Sequence, residues 1–293
     1  MHKAGFVNIV GNPNVGKSTL MNQLVGEKLS IATFKAQTTR HRIMGIVNTE
    51  DTQIVFSDTP GVLKPNYKMQ EMMLQFSESA LADADILLYV TDVVEDPEKN
   101  MDFLEKVSKM SIPVILLVNK IDESDQKTLG KLVTKWHGLL PNAEILPISA
   151  KNKFGVDILL KRVHELLPES PAFFDKDQLT DKPAKFFVSE IIREKILRYY
   201  DKEIPYSVEV VVERFKEDDR QIHINAVIYV ERSSQKGIII GHQGMALKKV
   251  STEARKSLER FFDKKIFLET FVKVDKDWRN SQKELKHFGY SPE

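Results

Sequence analysis

The run Gly11-Asn12-Pro13-Asn14-Val15-Gly16-Lys17-Ser18 constrains this chain more than any other segment. It is entered from an apolar stretch at residues 6–10 and left through Thr19-Leu20-Met21-Asn22, the start of a helical pattern. A glycine-rich loop between a strand and a helix is a cradle for phosphate. Gly11 and Gly16 let the backbone wrap so that successive N–H groups and the N-terminus of the next helix point at negative oxygens. In that setting Lys17 reaches the β and γ phosphates of a nucleoside triphosphate, and the Ser18 hydroxyl ligates Mg²⁺. The expected contacts are therefore Gly11, Asn12, Pro13, Asn14, Val15, Gly16, Lys17, Ser18 and Thr19.

The surrounding pattern fits such a loop. Residues 4–167 alternate short β-branched runs with longer helical patterns, which predicts a doubly wound α/β domain built on a mostly parallel six-stranded sheet. Strands are expected at 6–10, 43–47, 52–57, 86–91, 114–118 and 145–148, and helices at 17–25, 69–82, 99–110, 125–139 and 156–167. Only a short polar turn around Glu50-Asp51 separates the second and third strands, too little chain for a crossover, so that pair is expected to be an antiparallel hairpin. Pro168 to Pro171 and the polar stretch that follows read as a linker over 169–184. This divides the chain into a first domain at 1–168 and a second at 185–293.

Specificity within the first domain comes from three further segments. Asn119-Lys120-Ile121-Asp122 follows a buried strand, and a carboxylate at Asp122 can accept from guanine N1–H and the 2-amino group together, a pattern adenine lacks. Asn119 can meet the guanine edge and tie down the phosphate loop, while the Lys120 stem packs on the base. Asp58-Thr59-Pro60-Gly61 follows the third strand; its carboxylate can hold Mg²⁺ through water, and the Gly61 N–H can contact the γ phosphate. Ser149-Ala150-Lys151 can close over the base. The aperiodic segment at 36–41 is expected to order on the γ phosphate with a threonine hydroxyl on Mg²⁺, Thr39 being favoured over Thr38.

The second half has a different texture: a helix at 189–200 ended by Pro205, two strands of period two, a basic helix at 245–262, and a last strand at 266–272. Its order is α-β-β-(Gly turn)-α-β, an α+β arrangement. From Arg232 to Lys256 six basic residues face the single acid Glu253, a density that points to a polyanion although the whole chain carries only +1. Gly241-His242-Gln243-Gly244 opens the basic helix and resembles the loop with which KH domains clamp about four single-stranded nucleotides. Its place in the element order resembles the type II KH fold. Lys236, Gly241, His242, Gln243, Gly244, Lys248, Lys249 and Arg255 are the expected RNA contacts.

Taken together, the first-domain motifs resemble the translation-factor-related class of small GTPases. The position after Gly61, where Ras-like enzymes carry a water-orienting glutamine, is Val62. Intrinsic hydrolysis is therefore expected to be slow, with Lys17, Thr39, Asp58 and Gly61 as the catalytic set. GTPases of this class with asparagine at the Asn14 position often coordinate K⁺ against the phosphates, so the resemblance implies Asn14 as a K⁺ ligand beside GTP/GDP and Mg²⁺.

A GTPase followed by a KH domain resembles the Era family, as do residues 35–42, 189–195, 205–208 and 253–256. That resemblance implies a GTP-hydrolysing switch that binds the 3′ end of 16S rRNA as a single strand and assists assembly of the 30S subunit. It also implies loose peripheral association with the inner membrane. The alternatives are a membrane or stress signalling GTPase with incidental RNA affinity, or the GTPase partner of an RNA-modifying enzyme. No cysteine is present, which removes disulfides, thiolate metal sites and cysteine nucleophiles, and no apolar run approaches the roughly 20 residues that span a bilayer. A monomeric, cytoplasmic protein is expected.

Overall fold

A computed structural model describes residues 2–290. The chain divides into two units, the second made of the chain from Lys182 onward together with Tyr67–Met69.

In the first unit the apolar runs form β1 (Lys3–Gly11), β2 (Ile43–Asn48), β3 (Thr52–Asp58), β4 (Ile86–Asp92), β5 (Val114–Asn119) and β6 (Glu144–Pro147), in the order β2-β3-β1-β4-β5-β6. β2 and β3 pair antiparallel and every other neighbour is parallel. Every residue of β3 and β4 is buried, the mark of strands covered on both faces. The helices α1 (Lys17–Val25), α2 (Lys68–Ala82), α3 (Met101–Ser108), α4 (Gln126–Leu139) and α5 (Val156–Leu166) connect them. Because the chain leaves β1 for strands on one side and later returns to the other, the carboxyl end of β1 is the switch point where ligands of such sheets bind. The phosphate loop is that end.

Residues 169–181, whose polarity suggests a free linker, lie along the exposed edge of β2. Ile46 N–H donates to Leu179 O (2.8 Å), Met44 N–H to the Asp181 carboxylate (2.8 Å) and Thr180 Oγ1 to Met44 O (2.7 Å). Gln53 accepts from the backbone of Phe173 and Phe174, and the Phe173 ring sits 4.8 Å from that of Phe6. Covering an edge strand blocks its pairing with another chain. The segment looks unstructured in sequence because its bonds are to partners more than 100 residues away.

The second unit runs α6 (Ala184–Tyr199), β7 (Val208–Glu217), β8 (Gln221–Val230), α7 (Ser233–Ile240), α8 (Met245–Phe262), β9 (Lys265–Val274) and α9 (Gln282–His287). β8 is central, antiparallel to β7 and parallel to β9. The inward residues Val210, Ile224, Ile228 and Val272 pack with Ile192, Ile196, Val250 and Leu258 of the helices in one core. α6 begins five residues earlier than expected, directly after Pro183, and ends at Tyr199; Pro205 instead sits in a separate 3₁₀ turn. α7 is absent from the sequence reading, because Gly237 and three successive isoleucines show neither helical period nor a cap. Gly237 faces open space there, and Gln235 folds back to accept from the N–H groups of Glu231 and Arg232 at 3.0 Å each. After β9, Trp278 and Tyr290 are fully buried; Trp278 donates to Ser207 O (3.2 Å) and the Tyr290 hydroxyl to the Glu209 carboxylate (2.6 Å).

Candidate active site and nucleic-acid interface

Close packing leaves the phosphate loop no room for side chains at its glycines. A Cβ on Gly11 would meet Val90 O at 2.1 Å, and one on Gly16 would meet the Asn119 amide nitrogen at 2.2 Å. Gly16, at φ 97°, ends the loop as the N-cap of α1, and no side chain caps the helix, so its first-turn N–H groups are available to an anion. Lys17 is buried and donates to Gly11 O (3.0 Å) and Asn12 O (2.8 Å). Burial lowers its pKa to about 8 against the opposing pull of Asp58 and Glu95.

Three oxygens from distant segments meet beside Lys17. The Ser18 hydroxyl donates to the Asp58 carboxylate and is hydrogen-bonded to the Thr39 hydroxyl, both at 2.7 Å. Thr38, in contrast, turns away to Lys35 O and Thr33. Burial raises the Asp58 pKa, opposed chiefly by Lys17 and Ser18, and Asp58 Oδ1 is buried with no hydrogen-bond partner. Two hydroxyls and a buried carboxylate with one unsatisfied oxygen suit a hard cation that keeps part of its water shell. Mg²⁺ would be held here by Ser18 and Thr39 directly and by Asp58 through water.

Gly61 lies against Pro13, where an added Cβ would meet Pro13 Cα at 2.7 Å. Val62 points its side chain into the core and donates its N–H to Gly11 O at 3.1 Å. The group that orients attacking water must therefore come from elsewhere than this side chain.

Asn119 braces the loop from the base side, donating to Val15 O (2.8 Å) and accepting from Ala150 N–H (2.9 Å). Lys120, at φ 62°, bridges Asn14 O (2.7 Å) and the Asp92 carboxylate (2.5 Å). Asp122 is held by the Ser149 hydroxyl (2.6 Å) through one oxygen, which leaves the carboxylate's other oxygen to accept from a guanine edge. Ile121 donates its N–H to Ile148 O (3.3 Å), and the exposed Lys151 follows the buried Ala150. Asn14 adopts φ 67° and is exposed at the mouth of a cavity lined by Pro13, Lys17, Ser18, Thr39 and Gly61. Thr59 anchors its loop by donating to Ile9 O (2.8 Å), and Ser77 holds Pro60 O (2.8 Å).

Asn100 escapes a reading of the sequence. It is the N-cap of α3 but makes no cap bond; its amide instead donates to Asn12 Oδ1 and to Val62 O (3.2 Å), joining the phosphate loop to the segment after Gly61. Glu95, bonded by Thr91 (2.9 Å) and raised in pKa mainly by burial, completes this polar cluster. A helix-capping residue type is visible in sequence, but not the diversion of its side chain.

In the second unit Gly241 (φ 71°), Gln243 (φ 49°) and Gly244 (φ 76°) form a left-handed loop with exposed His242 and Gln243. Gly244 is the N-cap of α8, again without a side-chain cap. Lys248 and Lys249 are exposed on the first turn of α8, Lys249 lying 4.5 Å over the Tyr199 ring, while Lys236 is half-buried on α7. Arg255 is not brought to the loop: it sits about 15 Å along α8 from its start and pairs with Glu259 at 2.7 Å.

A guanine-reading, phosphate-cradling α/β unit followed by an α-β-β-α-α-β unit with this loop defines a P-loop GTPase joined to a KH domain. Residues 6–120 match the family described as 50S ribosome-binding GTPase, and residues 203–279 match the KH domain. GTPase Era of Clostridium kluyveri is 44% identical over 99% of this chain and all of its own length, and that of Geobacter sp. strain M21 is 46% identical over 98% of both. Solved structures agree. Era in complex with MgGDPNP and nucleotides 1506–1542 of 16S ribosomal RNA gives a TM-score of 0.95 at 36% identity, covering all of both chains. A point variant of Aquifex aeolicus Era bound to GDP·AlF4⁻ gives 0.94 at 37%, over 99% of this chain and all of that one. The chain belongs to the Era family and is a GTP-hydrolysing enzyme.

Proposed function

We propose that this GTPase uses GTP and Mg²⁺ to control capture of the 3′ end of 16S rRNA by its KH loop, and so assists assembly of the 30S subunit. The supporting observation is the match along the whole chain to an Era structure that holds both MgGDPNP and nucleotides 1506–1542 of 16S ribosomal RNA. In this reading Lys17 and the Gly11–Gly16 backbone neutralise the phosphates, and Ser18, Thr39 and Asp58 hold Mg²⁺. Gly61 N–H contacts the γ phosphate, while Asn119, Asp122 and Ala150 read guanine. Gly241 and Gly244 let RNA phosphates approach the start of α8, with Lys236, Lys248 and Lys249 adding charge. No described helix is long and apolar enough to cross a membrane, and the membrane association in this reading is peripheral.

The coupling is tested by measuring affinity for an RNA of nucleotides 1506–1542 with the protein in GDPNP and in GDP. A difference of about fivefold or more supports a switch, and equal affinities refute it, because a ligand without differential affinity for two states shifts nothing. Asn14 is proposed as a K⁺ ligand: its amide is exposed at the site's mouth and Val62 supplies no polar group. Turnover is expected to be faster in KCl than in NaCl at equal ionic strength; equal rates remove this role.

A further inference from the structure

The helices of the KH unit cover one face of its three-stranded sheet, and the C-terminal residues Trp278, Phe288 and Tyr290 cover one end of the other. Val227 of β8 is also fully buried on this side, but Arg214 and Lys216 of β7 and Phe267, Glu269 and Phe271 of β9 are exposed. Two aromatic side chains stand on this face from the edge strand β9: Phe267 is 50% exposed and Phe271 49%. Both belong to the outward set of β9, which alternates with the buried residues Ile266 and Val272. Exposed phenylalanines are uncommon on a sheet that could bury them, and here they stand four residues apart, about 13 Å along the strand. His223 of β8 lies directly across from Phe267, with ring centroids 5.6 Å apart.

The charges on this face favour an anion. Register places Lys216 beside His223 and Phe267 in one row, and Arg214, Asn225 and Glu269 in the next. Lys265 opens the same edge. Among the described residues none of Arg214, Lys216 and Lys265 makes an ion pair, whereas the neighbouring Lys264 and Lys273 are neutralised by Glu217 and Glu213. Within these two rows the unpaired Arg214 and Lys216 stand with the single acid Glu269, and Asp218 lies at the row's end, 3.5 Å from His223. Flat exposed π-faces interleaved with unpaired cations are the means by which proteins hold single-stranded nucleic acid: bases stack on the rings and cations take the phosphates. A hydrophobic protein partner would not need the unpaired Arg and Lys row.

We propose that the open face of the KH sheet, centred on Phe267 and Phe271 with Arg214 and Lys216, is a second binding surface for single-stranded RNA, separate from the Gly241–Gly244 loop. It rests on the reading of this domain as an RNA binder. The loop follows α7, which packs on the edge strand β9, so one RNA of sufficient length can pass that edge and occupy both surfaces.

The test uses the full chain with two fluorescent oligoribonucleotides, a 5-mer long enough only for the loop and a 20-mer. The double variant Phe267→Ala/Phe271→Ala is expected to bind the 5-mer as the unchanged protein does and the 20-mer at least tenfold more weakly. Phe267→Tyr/Phe271→Tyr, which keeps both π-faces, restores 20-mer affinity. Unchanged 20-mer affinity in the alanine variant overturns the proposal, as does equal weakening of both RNAs. Gly244→Asp separates the underlying reading: if both RNAs still bind with full affinity, the loop is not the RNA site. Crosslinking of a 4-thiouridine 20-mer reports independently of variant folding; adducts on the 265–273 peptide support the platform, and adducts confined to 236–249 refute it.

Discussion

The chain contains two glycine loops at uncapped helix N-termini, and they are built in opposite ways. The Gly11–Gly16 loop is walled in: Val90, Asn119 and Pro13 stand where side chains at Gly11, Gly16 and Gly61 would go, and its lysine is buried. The Gly241–Gly244 loop is open. A Cβ on Gly241 would meet Ala246 Cβ at 2.6 Å, but nothing lies within 4 Å of one on Gly244, where the loop enters α8, and Lys248 and Lys249 beyond it are exposed. A walled loop fixes its donors before the ligand arrives, which suits a site that must stabilise charge developing at one bond. An open one accepts phosphates of a flexible strand with little steric selection.

The contrast is sharpest at the lysines. Lys17→Ala removes a buried cation from a preorganised site and is expected to lower kcat/KM for GTP by about 10²–10³-fold or more, measured by phosphate release. Loss below tenfold would make the first loop as forgiving as the second. Gly244→Asp places a carboxylate where RNA phosphates approach, and about 10–100-fold weaker RNA binding is expected, since one unfavourable charge is worth on the order of 1.4–2.7 kcal/mol here. GTP affinity of that variant, read by nucleotide fluorescence, is expected to stay unchanged, because the altered side chain lies in the other unit.

The smallest effect is in pH. With the Lys17 pKa lowered to about 8 by burial, the free protein loses that proton as pH rises above 8, while an unfolded chain keeps it until about 10.5. Burying the cation therefore costs stability below pH 8, and the cost is relieved as pH climbs toward 10.5. Phosphate binding favours the charged form, so GTP affinity is expected to fall by up to about tenfold per pH unit above 8, with proton uptake on binding. Calorimetry in buffers of different ionisation enthalpy at about pH 9, one unit above that pKa, measures the uptake. RNA affinity measured over the same pH range is the control, and a parallel fall would erase the distinction.

Much of this architecture is legible before any coordinates. The α1 and α8 ranges, the β2–β3 hairpin and the alternation of strands and helices follow from side-chain period and from turns too short for crossovers. The departures share a cause. α7 reads as a turn because Gly237 and three isoleucines carry no helical signal, and 169–181 as free chain because its partners are Gln53 and the backbone of β2.

By itself, the sequence determined what can be encoded within a few residues: glycines where the backbone must turn left-handed or pass close to another chain segment, a lysine and hydroxyl at the head of a helix, and apolar periods that specify strand or helix. Tertiary structure alone decided which residues distant in the chain share a space. It placed Thr39 rather than Thr38 against Ser18 and Asp58, turned Val62 into the core, and diverted Asn100 from its own helix to Asn12 and Val62. It also left Phe267 and Phe271 in the open. These outcomes depend on the packing of elements tens of residues apart, which no local pattern specifies.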